Sequence, residues 1–390
     1  MSVLRQHHTP TALDLRHRRV SIREKLWQVS WSLVLLICAV GGIGILMLYS
    51  AANGDMEPWA GRQMTRFAMG IGLMIAVAVI DIRLWMRWAY VIYMVALALL
   101  IAVEIKGTIG MGAQRWIDLH YFFIQPSEVM KIGLVLALAR FFHGAALEEV
   151  TQPSFLIPPV LMVLAPAALV IKQPDLGTAL ILLMVGTVIF FMAGVKLWKF
   201  IVVGVLGIAA IPIGWQFLHD YQKNRVLTFI DPERDPLGAG YHILQSKIAM
   251  GSGGVFGRGY MQGSQSHLNF LPEKQTDFIF TMLTEELGMV GGVAVLGLYA
   301  LIIAYGFFIA NRSRNHFGRL VALGVNTTFF LYVFVNAAMV MGLLPVVGIP
   351  LPLISYGGTA LLTLMMGFGL LMSVHVHRDQ QIGRRGSYDD

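Results

Sequence analysis

Apolar residues gather along the chain in ten long runs, near residues 29–50, 64–81, 85–105, 126–143, 155–171, 176–194, 198–218, 277–310, 317–342 and 356–375. Each reaches the roughly 17–25 residues with which a helix crosses the hydrocarbon core of a bilayer. The pattern predicts an all-α polytopic membrane protein with about ten transmembrane helices. The polar stretches between the runs are unequal. Most are short, but residues 219–276 form one large loop between the seventh and eighth runs. The predicted organisation is a basic N-terminal segment (1–28), a single transmembrane domain (29–375) and a short tail (376–390).

Composition agrees with this reading. The chain is 56% hydrophobic and 13% charged, whereas soluble domains carry about 25% charged residues. Cys38 is the sole cysteine and lies inside an apolar run, so no intramolecular disulfide forms. The first run follows a basic stretch, "RHRRVSIREKLWQ", like the leading region of a signal peptide. The run is longer than the roughly 7–15 apolar residues of such a signal, so it reads as a retained helix.

The net charge of +7 raises the question of a nucleic-acid partner. Its distribution answers otherwise. With both termini inside, 17 of the 29 Lys and Arg residues fall on the cytoplasmic side. This is the positive-inside bias of a multi-pass protein of the cytoplasmic membrane, and it needs no nucleic acid.

Polar complexity falls on the opposite, outer side. The outer segments include "KGTIGMGAQRWIDLHYFFIQ", "KQPD", the loop 219–276 and "LLPVVGIPLPLIS". Apolar residues recur within the long loop, which reads as ordered, with short helices at the membrane surface. Glu128, Lys131, Asp175, Asp277, Glu285 and Glu286 stand at the outer ends of runs. Ionisable groups at membrane depth are unfavourable unless they pair or line a wet cavity. Glu128 and Lys131, three residues apart, share a helix face and can pair. They are either a structural ion pair or part of a polar cavity that opens outward.

Asp277 lies where "FLPEKQTDFIFTMLTEELG" turns from polar to apolar. Thr276 suits a helix N-cap and Asp277 the first turn. Taken as one helix, the run from Thr276 to Ala310 would be about 50 Å long at 1.5 Å per residue, against a hydrocarbon core of about 30 Å. Capping accounts for Asp277 by itself but not for Glu273, Lys274 and Gln275 beside it. The glycine-rich "GSGGVFGRGYMQGSQ" lacks the phosphate-binding glycine motifs. Its glycines serve either tight turns or a close approach of backbone to a ligand. No His or Cys grouping has metal-ligand spacing, and no Ser/His/Asp nucleophile set is recognisable.

Five strings in order, "GAQRWIDL", "QPSEVMK", "KQPDLGTA", "GSGGVFGRGYMQGSQSHLNFLPEKQTDFIF" and "GIPLPLISYGG", resemble the SEDS family (shape, elongation, division, sporulation). They resemble its elongation branch more than its division branch. The resemblance spans about Trp27 to His375. It implies a peptidoglycan glycosyltransferase that polymerises lipid II on the outer face of the cytoplasmic membrane. Its implied partners are a class B penicillin-binding protein, which crosslinks the glycan, and other membrane proteins of the elongation complex.

The resemblance places the family's catalytic aspartate at Asp277, its Arg–Trp pair at Arg115 and Trp116, and its fourth-span Glu and Lys at Glu128 and Lys131. Lys172, Asp175, Arg258, Gln265, Glu273, Lys274 and Ser355 complete the expected substrate-binding set. No protein metal site is expected, and a divalent cation (Mg or Mn) is left open as a cofactor. The competing readings are a lipid II flippase and a non-catalytic scaffold for the penicillin-binding protein. No inverted repeat of interrupted helices supports the first. A scaffold leaves the outward polar cluster unexplained.

Overall fold

A computed structural model describes residues 21–110, 113–118, 123–217, 223–224, 227–229, 231, 239–268, 270, 273–380 and 382–383. The described residues are mostly helical, and one helix covers most of each apolar run. After a short capped helix α1 (Ile22–Gln28) come α2 (Trp31–Ala51), α3 (Ala60–Val79), α4 (Ile82–Lys106) and α5 (Pro126–His143). Then follow α6 (Leu147–Val150), α7 (Ile157–Lys172), α8 (Leu176–Met192) and α9 (Leu197–Phe217). Helices α10 (Ala239–Gly253) and α11 (Ser264–His267) belong to the long loop, and α12 (Ile279–Arg312), α13 (His316–Val340) and α14 (Gly358–Val376) complete the chain. Among the described residues, seven helices are long and apolar enough to cross a membrane.

Among the described residues, the fold departs from all-α at one place. The stretch after α4 forms three short antiparallel strands, β1 (Thr108–Gly110), β2 (Ala113–Asp118) and β3 (Phe123–Ile124), in the order β1-β2-β3. Trp116 pairs with Thr108 across the first ladder, and Ile117 pairs with Ile124 across the second.

Polar residues start several helices. Asp81, Asp175 and Asn315 cap α4, α8 and α13 by accepting from backbone N–H groups of the first turn. Pro126 opens α5, where its missing N–H removes no helical bond. Small residues then let helices approach closely, as membrane packing favours. A Cβ at Gly70 would meet Met365, and one at Gly369 would meet Val77, so α14 sits against α3. Gly133 likewise seats α5 against Tyr93 of α4.

Helix α13 is the centre of the bundle, buried along almost its whole length and flanked by α5, α8, α12 and α14. Helix α9 is the opposite case, with no buried residue from Leu197 to Gln216. An apolar helix exposed on all sides is one that lipid surrounds.

Helix α12 is not the single rod expected. Gly288 breaks it with φ 69° and ψ −169°, a conformation that favours glycine. The glycine-rich loop fills the break. Arg258 N and Gly259 N donate to Glu285 O and Glu286 O at 3.1 and 3.0 Å. In return Met289 N and Val290 N donate to Gly254 O and Val255 O at 3.0 and 3.1 Å. The loop thus satisfies four backbone groups at the break, as a hydrocarbon surround favours. The approach is too close for side chains, since a Cβ at Gly257 would fall 2.1 Å from Glu286 O. Loop helix α10 packs on α12 instead of lying free of it. Ser246 Oγ bonds Thr281 Oγ1 and donates to Val340 O, both at 2.7 Å.

Candidate active site

Asp277 belongs to a turn, not to the helix that follows. Residues 273–278 are non-helical, and α12 starts at Ile279 with Phe278 as its N-cap and no side-chain capping bond. The hydroxyl of Thr276 points back, donating to Glu273 Oε2 at 2.8 Å. The expected Thr276 cap is therefore absent, and the first-turn placement of Asp277 is corrected with it. The turn needs this backward closure because Glu273 has φ 52°, a strained value for a residue with a side chain.

The turn is held mostly from outside. Tyr356 N donates to Gln275 O at 2.8 Å, Ser355 Oγ to Thr276 O at 2.6 Å and Asn336 Nδ2 to Asp277 O at 2.9 Å. Asp277 itself is half-buried, and a Cβ at Gly348 would stand 3.4 Å from its Oδ2. The strap that follows α13, residues 341–357, thus wraps the aspartate. Leu353 in the strap is buried with φ 68°, and backbone strain of this kind persists where the surroundings over-determine it.

Glu128 and Lys131 lie one turn into α5, both buried, with Nζ 2.6 Å from Glu128 Oε1. Tyr332 of α13 donates its hydroxyl to the same oxygen at 3.0 Å, and its ring lies 4.2 Å from the ammonium. The ammonium therefore meets a carboxylate and a π-face together. The pair lines a cavity between α5, α13, α14 and the strap. The expected cavity was polar. This one has mostly apolar walls, among them Val135, Val325, Leu361 and Leu364. Ser355 joins the two regions, because it lines the cavity and also holds the Asp277 turn. Its hydroxyl accepts from Leu351 N at 2.7 Å as well, so it is engaged on both sides.

Arg115 and Asp175 act on the neighbouring connection between α7 and α8. Arg115 is half-buried in β2 and donates to Gln173 O at 3.1 Å and to Pro174 O. Asp175 is occupied as a cap, accepting from Thr178 N at 3.1 Å and Thr178 Oγ1 at 2.9 Å. Trp116 is half-buried and Lys172 is exposed. This connection reaches the aspartate through packing: a Cβ at Gly177 would be 3.1 Å from Val347 O and from Ile349 Cγ1, on either side of Gly348.

The remaining predicted residues surround the broken helix. Glu285 accepts from Gln265 N at 2.7 Å and from Ser266 N at 3.1 Å, capping α11. Glu286 accepts from Ser50 Oγ at 2.6 Å and contacts His267 Nε2 at 3.1 Å. Lys274 is buried and donates to Ser266 O at 2.9 Å. Burial pushes its ammonium below the usual lysine range, against the opposing pull of Glu286. Arg258 is exposed and donates to Ser264 Oγ at 2.7 Å. Among the described residues, no three His, Cys, Asp or Glu side chains come together in a way that could hold a metal ion.

The structure thus gathers Asp277, Lys274, Ser355 and the Glu128–Lys131 pair around the ends of α5, α12 and the strap. Arg115 and Asp175 shape the adjoining wall. Asn336 and Tyr332 were not singled out from sequence, because each is one polar group in a long apolar run.

Residues 29–380 match the model of the cell cycle protein family that groups FtsW, RodA and SpoVE. The chain belongs to this family. It is 47% identical over 351 residues to the peptidoglycan glycosyltransferase MrdB of Escherichia coli (strain K12), covering 89% of this chain and 93% of that one. It is 35% identical to the peptidoglycan glycosyltransferase RodA of Treponema pallidum (strain Nichols), covering 89% and 97%. Two solved structures are similar. One is a chain from work on structural coordination of polymerization and crosslinking by a peptidoglycan synthase complex, at TM-score 0.79 and 32% identity, covering 90% of this chain and 99% of that chain. The other is the rod shape determining protein RodA of Thermus thermophilus, at TM-score 0.69 and 30% identity, covering 90% and 98%. The elongation-type resemblance read from the strings agrees with these family members.

Proposed function

We propose that the chain is a peptidoglycan glycosyltransferase that polymerises lipid II at the outer face of the cytoplasmic membrane during cell elongation, with Asp277 as general base. The relatives' activity supports the reaction class. The observation that carries the site is Asp277 itself: a half-buried carboxylate outside any helix, on a turn held by α13 and by the strap. A helix cap does not explain it.

Chain growth joins a sugar hydroxyl to an anomeric carbon. The hydroxyl oxygen attacks that carbon, the bond to pyrophosphate breaks, and polyprenyl pyrophosphate leaves with its electron pair. Asp277 takes the hydroxyl proton as the new bond forms. Pyrophosphate is a good leaving group, so cations suffice to neutralise its developing charge. Lys172 and Arg258 are exposed and available for that role. Lys131 and Arg115 are held by internal partners and order the site. A divalent cation, where one takes part, would be held mainly by the pyrophosphate oxygens with one or two carboxylates. The apolar cavity beside Ser355 suits part of the polyprenyl tail.

The three helices α3, α5 and α8 complete ten membrane crossings in this reading, with both termini cytoplasmic. A class B penicillin-binding protein is the proposed crosslinking partner, consistent with the synthase complex to which the chain is structurally similar. Other elongation-complex membrane proteins join them.

The direct test is the purified chain with labelled lipid II, with and without the transpeptidase. The proposal expects a ladder of glycan products that the transpeptidase increases. Translocation of lipid II across vesicles with no polymer would contradict it and favour a flippase.

A further inference from the structure

Three consecutive carbonyls hold the turn that carries Asp277, and Asn336 grips the last of them. Asn336 differs from Tyr356 and Ser355 because its amide spans two segments. Nδ2 donates to Asp277 O at 2.9 Å and to Ile349 O at 2.7 Å. Both partners are carbonyl oxygens, so only the NH₂ end of the amide can face them. The other end is left over. Among the described residues nothing donates to Asn336 Oδ1, although it is buried.

An acceptor buried without a donor is unfavourable, and an apolar residue of similar shape would avoid it. The amide is thus a poor choice for packing α13, where its neighbours Val335, Ala337, Ala338 and Met339 are all apolar. What it does achieve is registry. Ile349 follows Gly348, the residue that lies against the Asp277 carboxylate. Gly348 has φ 72°, so its backbone is shaped to let the aspartate approach. The two hydrogen bonds of Asn336 fix the aspartate's backbone and that neighbouring backbone relative to each other.

We infer that Asn336 is a positioning residue that sets the Asp277 carboxylate against the 347–349 backbone for proton transfer. This rests on Asp277 being the general base. Misplacing a reacting group by about 1 Å costs on the order of 10²-fold in rate. Asn336 touches no reacting atom, so its loss should lower kcat and leave KM for lipid II nearly unchanged.

The test uses the full chain, purified and active on lipid II. Asn336→Asp keeps the shape and removes the paired donors, and Asn336→Leu removes all polarity at similar volume. For both, the expected result is a kcat lower by about 10²-fold with KM changed less than about twofold. A thermal midpoint measured in detergent identifies which variant is folded, and the folded one is decisive. Each substitution is then repeated with Asp277→Asn. A residue acting through the aspartate should add less than about a threefold loss there, because groups that act as a unit are non-additive.

A folded Asn336→Asp or Asn336→Leu protein with normal kcat overturns the inference. So does a rise in KM at unchanged kcat, or losses that multiply in the double variants. An Asp277→Asn protein that stays active overturns the base assignment and this inference with it, and is recognised by the single variant alone.

Discussion

At the residue scale, the buried charges separate into those that hold the structure and those available for chemistry. Glu128 and Lys131 are paired at 2.6 Å and share Tyr332. Removing one member of a buried pair leaves an uncompensated charge, which destabilises by about 3–5 kcal/mol. Replacing both with neutral residues of similar size is far less harmful. Lys131→Met should therefore lower the thermal midpoint strongly, and Glu128→Gln combined with Lys131→Met should recover most of it. If the double variant is as unstable as Lys131→Met alone, the two charges do not compensate each other as described. Spacing made this pair legible in sequence, since residues three apart share a helix face. The partners of the Asp277 turn were not legible, because Asn336 reaches Asp277 O from 59 residues further along the chain and Ser355 reaches Thr276 O from 79. No local pattern encodes contacts of that separation.

The element scale shows where periodicity misleads. "EELGMVGG" reads as an uninterrupted apolar helix, yet Gly288 breaks it. The break is possible because the glycine-rich loop supplies the missing hydrogen bonds, and that loop lies some 30 residues earlier. Sequence left two uses open for those glycines. The structure adds a third, backbone-to-backbone packing within the protein. The contrast between two glycines of α12 follows. A Cβ at Gly288 would fall 2.2 Å from Gly257 N, whereas one at Gly297 would meet nothing within 4 Å. Gly288→Ala should therefore abolish folded, membrane-inserted protein. Gly297→Ala should be neutral or stabilising, up to about 1 kcal/mol from helix propensity. Equal yields and thermal midpoints for the two variants would contradict the assignment of the break. The capping of Asp277 failed for a related reason: residue types at a polar-to-apolar boundary suit a cap, but the strap pulls this boundary into a turn.

For the whole molecule, the long apolar runs foretold a mostly helical, multi-pass architecture, because bilayer thickness dictates helix length. The short sheet after α4 escaped that logic, since "GAQRWIDL" is too brief for a period to show. Orientation is open to a direct check in a Cys38→Ala background. Phe256, 84% exposed in the glycine-rich loop, should react as Phe256→Cys with an impermeant reagent added outside intact cells. Arg314→Cys, between α12 and α13, should react only after permeabilisation. The reverse pattern would invert the topology and place the site on the wrong side for external glycan synthesis.

The central claim is that one carboxylate performs the proton transfer, and Asp277→Asn tests it most directly. The substitution keeps size and hydrogen-bonding capacity but cannot accept the hydroxyl proton. Purified side by side with the wild-type chain, the variant should remain inserted and folded, and should still bind the transpeptidase. Its rate of lipid II polymerisation should fall by about 10²–10⁴, the contribution of a general base. Retention of more than about a tenth of the wild-type rate, above the range a lost base allows, would contradict the account.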